Sequence, residues 1–327
     1  MFSKSGILIM KTKNSSFVIS LDFELMWGVR DKRTIASYGD AILKVYEIIP
    51  TLIELFAKYD VKATFSTVGL LFGNNKEDLL PFVPELKPSY SNSKLNPYSE
   101  LLDIPIEKAN YYFAENLIRK IINTGTHEIG THTFSHYYCN EMGQTLDQFD
   151  ADIAVAVQIG KKYNCAIKSI VFPRNQVRED YLICCKKHGV LVYRGNDNSG
   201  FYNSGKSTFR AKLNKILRFL DTYLPLSGSN TFEVERHDGL INVKASRFLR
   251  PYSNRFKFLE KFKIWRITNS MSFAAKHKLV YHLWWHPHNF GYNTAQNFEQ
   301  LEKILIHYSK LREKYNMDSK TMNEFLN

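Results

Sequence analysis

The sequence predicts an α/β protein in which helices cover a parallel sheet. Segments with the composition of buried strands alternate about seven times with segments of helical periodicity along the 327 residues. Alternation of this kind is typical of a parallel sheet with helices outside, and the length is ordinary for one α/β barrel. No linker or change in composition divides the chain, so we expect a single domain over residues 1–327, with its core at about 16–315.

Strands are predicted where apolar and β-branched residues cluster between turn-forming residues. The first predicted strand is also the most apolar, and it leads directly into Asp22 and Glu24. The predicted strands cover residues 16–21, 62–68, 128–131, 167–172, 190–194 and 279–284.

Helices are predicted where apolar residues recur at intervals of three and four, as Val45, Ile48 and Leu52 do in the first of them. The predicted helices cover residues 40–59, 106–123, 146–163, 180–188, 208–222, 258–277 and 298–315. Two stretches lack a clear pattern. Residues 73–105 form a long polar segment, which we expect on the rim where a substrate would enter, and residues 198–255 mix one helix with irregular β-like pieces.

The chain is strongly basic, with a formal net charge of +12. Three explanations compete: nucleic acid, an anionic membrane surface or lipid-linked phosphate, and a lysine-rich but merely solvated surface. The sequence contains no recognisable nucleic-acid-binding motif, which places nucleic acid last. The 19 Tyr and 23 Phe suit either a carbohydrate-binding cleft or an aromatic-rich core.

Cysteine usage and the apolar segments predict a cytoplasmic location. Cys139, Cys165, Cys184 and Cys185 form no CxxC pair, and we expect all four to be reduced. The apolar run at residues 6–10 is too short for a signal peptide. No stretch approaches the roughly 20 apolar residues that a membrane-spanning helix needs, so we expect at most peripheral contact with a membrane.

Two histidines four positions apart give the most specific indication of function. His132 and His136 follow the strand predicted at residues 128–131. On a helical turn this spacing places both rings on one side, where they can share one metal ion. Two histidines with separate structural roles are the alternative explanation.

A zincin-type HExxH motif starting at His127 is excluded. Position 131 is Thr, so the second histidine comes one residue too late, and Gly130 is unfavourable in a helix. We assign His127 a structural role at the entrance to its strand.

Asp22 and Glu24 supply carboxylates at the end of the first strand. Side chains two residues apart on a strand point the same way, so both can enter one pocket. Two adjacent carboxylates repel each other unless a cation or a division of roles relieves the repulsion. A metal ion held by one carboxylate, with the other acting as a base, would do both.

Further polar side chains follow other predicted strands. Arg174 could hold the base carboxylate through a bidentate ion pair, or it could form an ordinary salt bridge at the rim. Asp197 could orient a histidine, or simply form a turn after Gly195 and Asn196. His286 follows an apolar strand that ends in two tryptophans, and it is the candidate general acid, with His288 as its nearest competitor.

Taken in this order, the motifs resemble those of the polysaccharide deacetylase family, the chitin-deacetylase-like hydrolases of N-acetylated sugars. The resemblance extends over about residues 16–290. Its five motifs lie at residues 19–24, 132–136, 172–176, 196–197 and 283–286. Three motifs depart from the family pattern: Glu24 replaces an acid one position earlier, the segment around Arg174 has its Arg-Pro order inverted and lacks a Tyr, and the segment at 196–197 lacks a Trp.

The resemblance implies a fold, a metal site and a reaction. The fold would be a distorted (β/α)7 barrel. Zn²⁺ or another divalent ion would be held by Glu24, His132 and His136. Asp22 would be the catalytic base and His286 the acid, oriented by Asp197, while Arg174 and a backbone N–H near Asn175 would assist.

The predicted activity is removal of an N-acetyl group from a sugar or glycan precursor, in surface polysaccharide biosynthesis. The substrate would be an N-acylated sugar, nucleotide-linked or lipid-linked. A deformylase acting on a lipid-linked sugar is the nearest alternative. A non-catalytic carbohydrate-binding relative is an alternative from another class, and the sequence does not predict an oligomeric state.

Overall fold

The computed structural model describes residues 8–10, 12–196 and 208–327. Its strands, in chain order, are β1 Leu8–Met10, β2 Ser16–Phe23, β3 Thr64–Thr67, β4 Glu128–Thr131, β5 Ser169–Ile170, β6 Val192–Tyr193, β7 Val234–His237, β8 Leu240–Asn242, β9 Arg247–Phe248, β10 Val280–Trp285 and β11 Asp318–Lys320. Its α-helices are α1 Ile35–Leu43, α2 Val45–Lys58, α3 Pro97–Asp103, α4 Glu115–Asn123, α5 Leu146–Lys162, α6 Glu179–Lys187, α7 Thr208–Leu220, α8 Glu260–His277 and α9 Thr294–Tyr315.

The strands form one curled sheet. Parallel pairing runs from β8 through β6, β5, β4, β3 and β2 to β10 and β9. The chain from β8 to β9 pairs first with β6 and then with β10, so it connects the two ends of the parallel sheet. This is a distorted α/β barrel, which confirms the predicted fold class.

Strand β2 lies in the core of the barrel, and all of its residues are buried. Phe17, Ile19 and Leu21 pack in the main hydrophobic cluster, while Val18 belongs to a second, smaller cluster. Because β2 pairs with β3, β10 and β11, it lies centrally in the sheet. Burial on both faces explains why apolar residues follow one another over Phe17–Ile19 instead of alternating with polar ones.

The helix predicted at 40–59 is in fact two helices, α1 and α2. The first begins earlier than predicted because the Thr34 side chain caps it, accepting a hydrogen bond from the Ser37 N–H at 3.3 Å. The helix predicted at 106–123 is α-helical only from Glu115, after a 3-10 turn over Ile106–Tyr111.

The long polar segment at 73–105 packs against the segment that follows β4. The Tyr90 hydroxyl accepts a hydrogen bond from the Tyr138 N–H at 2.9 Å, and the Ser91 N–H donates to the Met142 carbonyl at 2.8 Å. This placement positions the segment beside the two histidines. Among the described residues, no helix has the length and apolar character needed to cross a bilayer.

Candidate metal and catalytic site

Five of the predicted site residues, Asp22, Glu24, His132, His136 and His286, converge because the strands that they follow are parallel. Asp22 is the second-last residue of β2, Glu24 directly follows this strand, His132 follows β4 and His286 follows β10. The carboxyl ends of parallel strands meet at one end of a barrel, which is where α/β barrels carry their chemistry.

Glu24, His132 and His136 form a compact, buried cluster that could hold a metal ion. The Oε2 atom of Glu24 lies 3.3 Å from His132 Nε2 and 3.1 Å from His136 Nε2. The three ligand atoms all lie within 4.8 Å of one another. Tetrahedral zinc with bonds of about 2.0–2.1 Å separates its ligand atoms by roughly 3.3 Å. The residues therefore fit a divalent ion in both chemistry and spacing.

Hydrogen bonding prepares His132 for this role. Its Nδ1 atom lies 2.8 Å from the Val171 carbonyl oxygen, and a carbonyl can only accept, so Nδ1 carries the proton. In the neutral ring, Nε2 then offers its lone pair toward Glu24. Metal-binding histidines are typically oriented in this way.

The ionisation states also suit a cation. Burial raises the pKa of the Glu24 carboxyl, but His286, His132 and His136 lower it more, so the pKa lies well below its usual value. Burial lowers the pKa of His136 to about 4, although Glu24 opposes the shift. The set therefore combines an ionised carboxylate with a neutral imidazole, the forms that bind metal.

The prediction that His132 and His136 lie on a helical turn was wrong. Residues 132–136 form an irregular loop, in which Thr133 and His136 adopt left-handed φ angles of 64° and 56°. Asp152 on α5 holds the loop, accepting hydrogen bonds from the Phe134 N–H at 2.7 Å, the Ser135 N–H at 3.1 Å and the Ser135 hydroxyl. The His132 and His136 rings therefore meet because the loop backbone changes direction, and not because it forms a helix.

The carboxylate of Glu24 packs closely against the backbone of Gly28. A Cβ atom at position 28 would overlap the Glu24 carboxylate. Gly28 therefore leaves the space that this carboxylate occupies.

Asp22 is held by Arg194, a residue that the sequence analysis did not single out. Nη1 of Arg194 donates to Oδ1 of Asp22 at 2.7 Å, and Nη2 donates to Oδ2 at 2.8 Å. The guanidinium also donates to the Ser20 hydroxyl at 2.9 Å and stacks 4.2 Å from the Trp284 ring. Burial raises the pKa of Asp22, but Arg194, His132 and His286 reverse the shift, so the net pKa is lowered.

The predicted pairing of Arg174 with the base carboxylate is therefore wrong. Arg174 lies at the rim, 2.5 Å from Asp31 and 2.8 Å from Glu141, with its guanidinium 4.0 Å from the centre of the Tyr138 ring. Its left-handed φ of 55° directs the side chain away from Asp22. The N–H of Asn175, near which a backbone N–H is expected to assist the reaction, donates to the Phe172 carbonyl at 2.9 Å.

His286 completes the group. Its Nε2 lies 3.7 Å from Asp22 Oδ2 and 3.5 Å from Glu24 Oε1. Its Nδ1 faces Asn289 Oδ1 at 3.1 Å, and the same oxygen accepts from the His286 N–H at 3.2 Å. Asn289 thus orients the ring. Asp197, predicted for this task, lies outside the described residues.

His288 stacks on His286, with ring centroids 5.1 Å apart, and its Nε2 lies 4.0 Å from Glu24 Oε1. Burial lowers the pKa of His288 to about 3. His288 is the weaker candidate for the general acid, because its ring is buried and neutral. His286, whose Nε2 lies 3.7 Å from Asp22, is the stronger candidate.

Solved structures with similar folds include both deacetylases and other carbohydrate enzymes. A Mycobacterium smegmatis protein assigned as a polysaccharide deacetylase aligns with a TM-score of 0.58 and 11% identity, covering 98% of this chain and 94% of that one. A GH57-type branching enzyme from Pyrococcus horikoshii aligns with a TM-score of 0.52 and 11% identity, covering 97% and 70%. WT BA3943, a CE4 family pseudoenzyme from Bacillus anthracis, aligns with a TM-score of 0.45 and 13% identity, covering 96% and 66%.

The comparison with curated protein sequences gave no match. The family model described as polysaccharide deacetylase matches residues 29–192, which is 164 of the 327 residues and includes both histidines of the loop. This match extends over half of the chain and agrees with the barrel fold. The chain belongs to the polysaccharide deacetylase family.

Proposed function

We propose that residues 1–327 form one catalytic domain, a metal-dependent hydrolase that removes the N-acetyl group from a sugar or glycan precursor. One observation carries the proposal: a buried carboxylate clamped by Arg194 lies beside a three-residue metal-ligand set, with His286 facing both. Asp22, the metal ligands and His286 supply a base, an electrophile-binding site and an acid within one small volume.

Glu24, His132 and His136 would hold the ion, Zn²⁺ or another divalent metal. When bound, the ion supplies Lewis-acid polarisation of the acyl oxygen and lowers the pKa of water toward about 7.

The protein's own groups carry the protons. Asp22 accepts a proton from the attacking water as oxygen bonds to the acyl carbon. Protonated His286 donates its Nε2 proton to the sugar nitrogen as the C–N bond breaks, leaving acetate and a free amino sugar. Arg194 keeps Asp22 ionised and fixed in direction, and Asn289 keeps Nε2 of His286 aimed at the site.

The substrate in this proposal is an N-acylated sugar linked to a nucleotide or a lipid, used in surface polysaccharide biosynthesis at a cytoplasmic location. Deformylation is the alternative within the same chemistry. Released formate instead of acetate would identify it.

The test compares wild type with Asp22→Asn on a panel of N-acetylated and N-formylated sugars, measuring the acid released. Loss of general-base catalysis predicts a fall of about 10²–10⁴-fold in kcat, with metal content unchanged. Asp60→Asn is the matched control, because Asp60 pairs with Arg312 away from the site. Asp22→Asn with wild-type turnover would refute the assignment. Sugar binding without turnover by metal-loaded wild type would favour a non-catalytic relative.

A further inference from the structure

A basic cleft lies beside the proposed catalytic site. It has a volume of about 870 Å³, within the range of about 300–1,000 Å³ typical of small-molecule sites. None of the described residues that line it is acidic, and six are cationic: Lys32, Arg174, Lys215, Arg218, Arg247 and Arg250.

Part of this positive charge is already neutralised inside the protein. Arg174 pairs with Asp31 and Glu141, Lys32 lies 4.0 Å from Asp31, and Arg247 pairs with Asp221 at 3.2 Å.

Three cations keep their charge available. Within residues 8–10, 12–196 and 208–327, the ion pairs found include none for Lys215, Arg218 or Arg250. Lys215 is exposed, Arg218 and Arg250 are half-buried, and the Arg250 guanidinium lies 5.7 Å from the centre of the Phe219 ring. A wall whose described residues gather such charges and include no acid attracts an anion.

The cleft reaches the catalytic residues through shared side chains. Trp284 lines the cleft and stacks on Arg194, which holds Asp22. Phe248 lines it too, with its ring 6.0 Å from the ring of His286. One layer of side chains therefore separates the cleft from the proposed base and acid.

We propose that this cleft binds a phosphate or diphosphate group of the substrate, placed so that the attached N-acylated sugar reaches Asp22 and His286. The inference rests on the proposed function and adds a charge requirement to its substrate. Arginine forks bind phosphate oxygens in pairs, and Trp284 offers an apolar face to the sugar. A neutral glycan could accept hydrogen bonds from Lys215, Arg218 and Arg250 but would gain no charge–charge attraction from them.

The first experiment measures pyrophosphate binding by calorimetry. Wild type and the His132→Ala/His136→Ala variant should bind equally, because the anion contacts the cleft and not the metal. Lys215→Gln/Arg218→Gln should raise the Kd at least about tenfold, as expected for the loss of charge-assisted hydrogen bonds. Arg250→Gln should weaken binding in the same direction.

Lys120→Gln/Lys276→Gln is the control, since it removes the same charge from exposed positions on α4 and α8. No pyrophosphate binding, or equal weakening by the control, would overturn the proposal. Because binding is read without turnover, this result is separate from the test of hydrolysis: a protein without hydrolase activity could still pass it.

A second measurement identifies the source of the phosphate. UDP-N-acetylglucosamine and polyprenyl-phosphate-linked N-acetylglucosamine in phosphatidylcholine vesicles are each competed against pyrophosphate. Displacement by the first supports a nucleotide-linked substrate, and displacement by the second a lipid-linked one. If neither displaces pyrophosphate, the cleft is not a substrate subsite and the proposal fails.

Discussion

At the scale of single residues, Arg194 determines how Asp22 is presented. Its guanidinium contacts both Asp22 oxygens and is itself fixed by Ser20, by Asn175 at 2.9 Å and by the Trp284 ring. A bidentate pair of this kind fixes the direction of the carboxylate as well as its charge.

Arg194→Lys should therefore lower kcat by about 100-fold, because an ammonium cannot hold both oxygens and a misplaced base loses about that factor. Steady-state acid release measures the effect, and metal content should stay at the wild-type level. Arg178→Lys, which changes a half-exposed pair with Asp180, is the control. Wild-type kcat in Arg194→Lys would show that the fork does not position the base.

The sequence predicted the ligand residues because each follows a recognisable strand or lies in a specific histidine spacing. Arg194 gave no such signal. It extends a short apolar strand and reaches Asp22 across the barrel interior, 172 positions away in the chain. Arg174 was preferred because it follows a proline at a strand end, but its left-handed backbone turns it toward Asp31.

Among the secondary-structure elements, α5 holds the loop at residues 132–136 in place through Asp152. This carboxylate is almost completely buried and bonds to consecutive N–H groups between the two histidines. It therefore holds the irregular backbone that brings His132 and His136 together.

Asp152→Asn should weaken metal binding by about 10–100-fold, the usual effect of losing a group that orients metal ligands. The amide nitrogen cannot accept the hydrogen bonds that the carboxylate oxygen accepts. Metal titration of the metal-free protein measures the change. Asp150→Asn is a close control, two residues away on α5 and facing Lys187 and His188 at the surface. Equal affinities in both variants would contradict the role given to Asp152.

The alternation of strands and helices was predictable because it depends on composition and periodicity. The loop that holds the histidines was not, because its shape depends on Asp152, sixteen residues beyond His136. A helical turn and an irregular loop can both bring the two imidazoles together. Only the contact of the loop with Asp152 shows which of the two conformations the chain adopts.

Across the whole molecule, two histidines whose pKa values are lowered by burial link stability to pH: His127, which directly precedes β4, and His282, which lies within β10. Burial lowers the pKa of His127 to about 4 and that of His282 to about 3. The unfolded chain binds protons at these groups below about pH 6.5, whereas the folded protein does not. The free energy of unfolding therefore falls as pH decreases from about 6.5 toward 4.

His127→Gln should reduce this dependence. The variant should lose about 2 kcal/mol less than wild type between pH 7 and pH 5, since each pH unit below 6.5 contributes about 1.4 kcal/mol. Urea unfolding at both pH values measures the difference. Glutamine keeps an acceptor for the Ala63 N–H that His127 Nδ1 binds at 3.2 Å. Parallel pH curves for the two proteins would show that His127 does not carry this linkage.

The central claim is that Glu24, His132 and His136 bind one catalytic divalent ion. Metal analysis of purified wild type, after equilibration with zinc and removal of excess, tests it most directly beside His132→Ala/His136→Ala. We expect about one ion per chain in wild type, none in the variant and a wild-type content in His127→Gln. A wild type that binds no zinc, cobalt or nickel, or a double variant that binds as much as wild type, would contradict it.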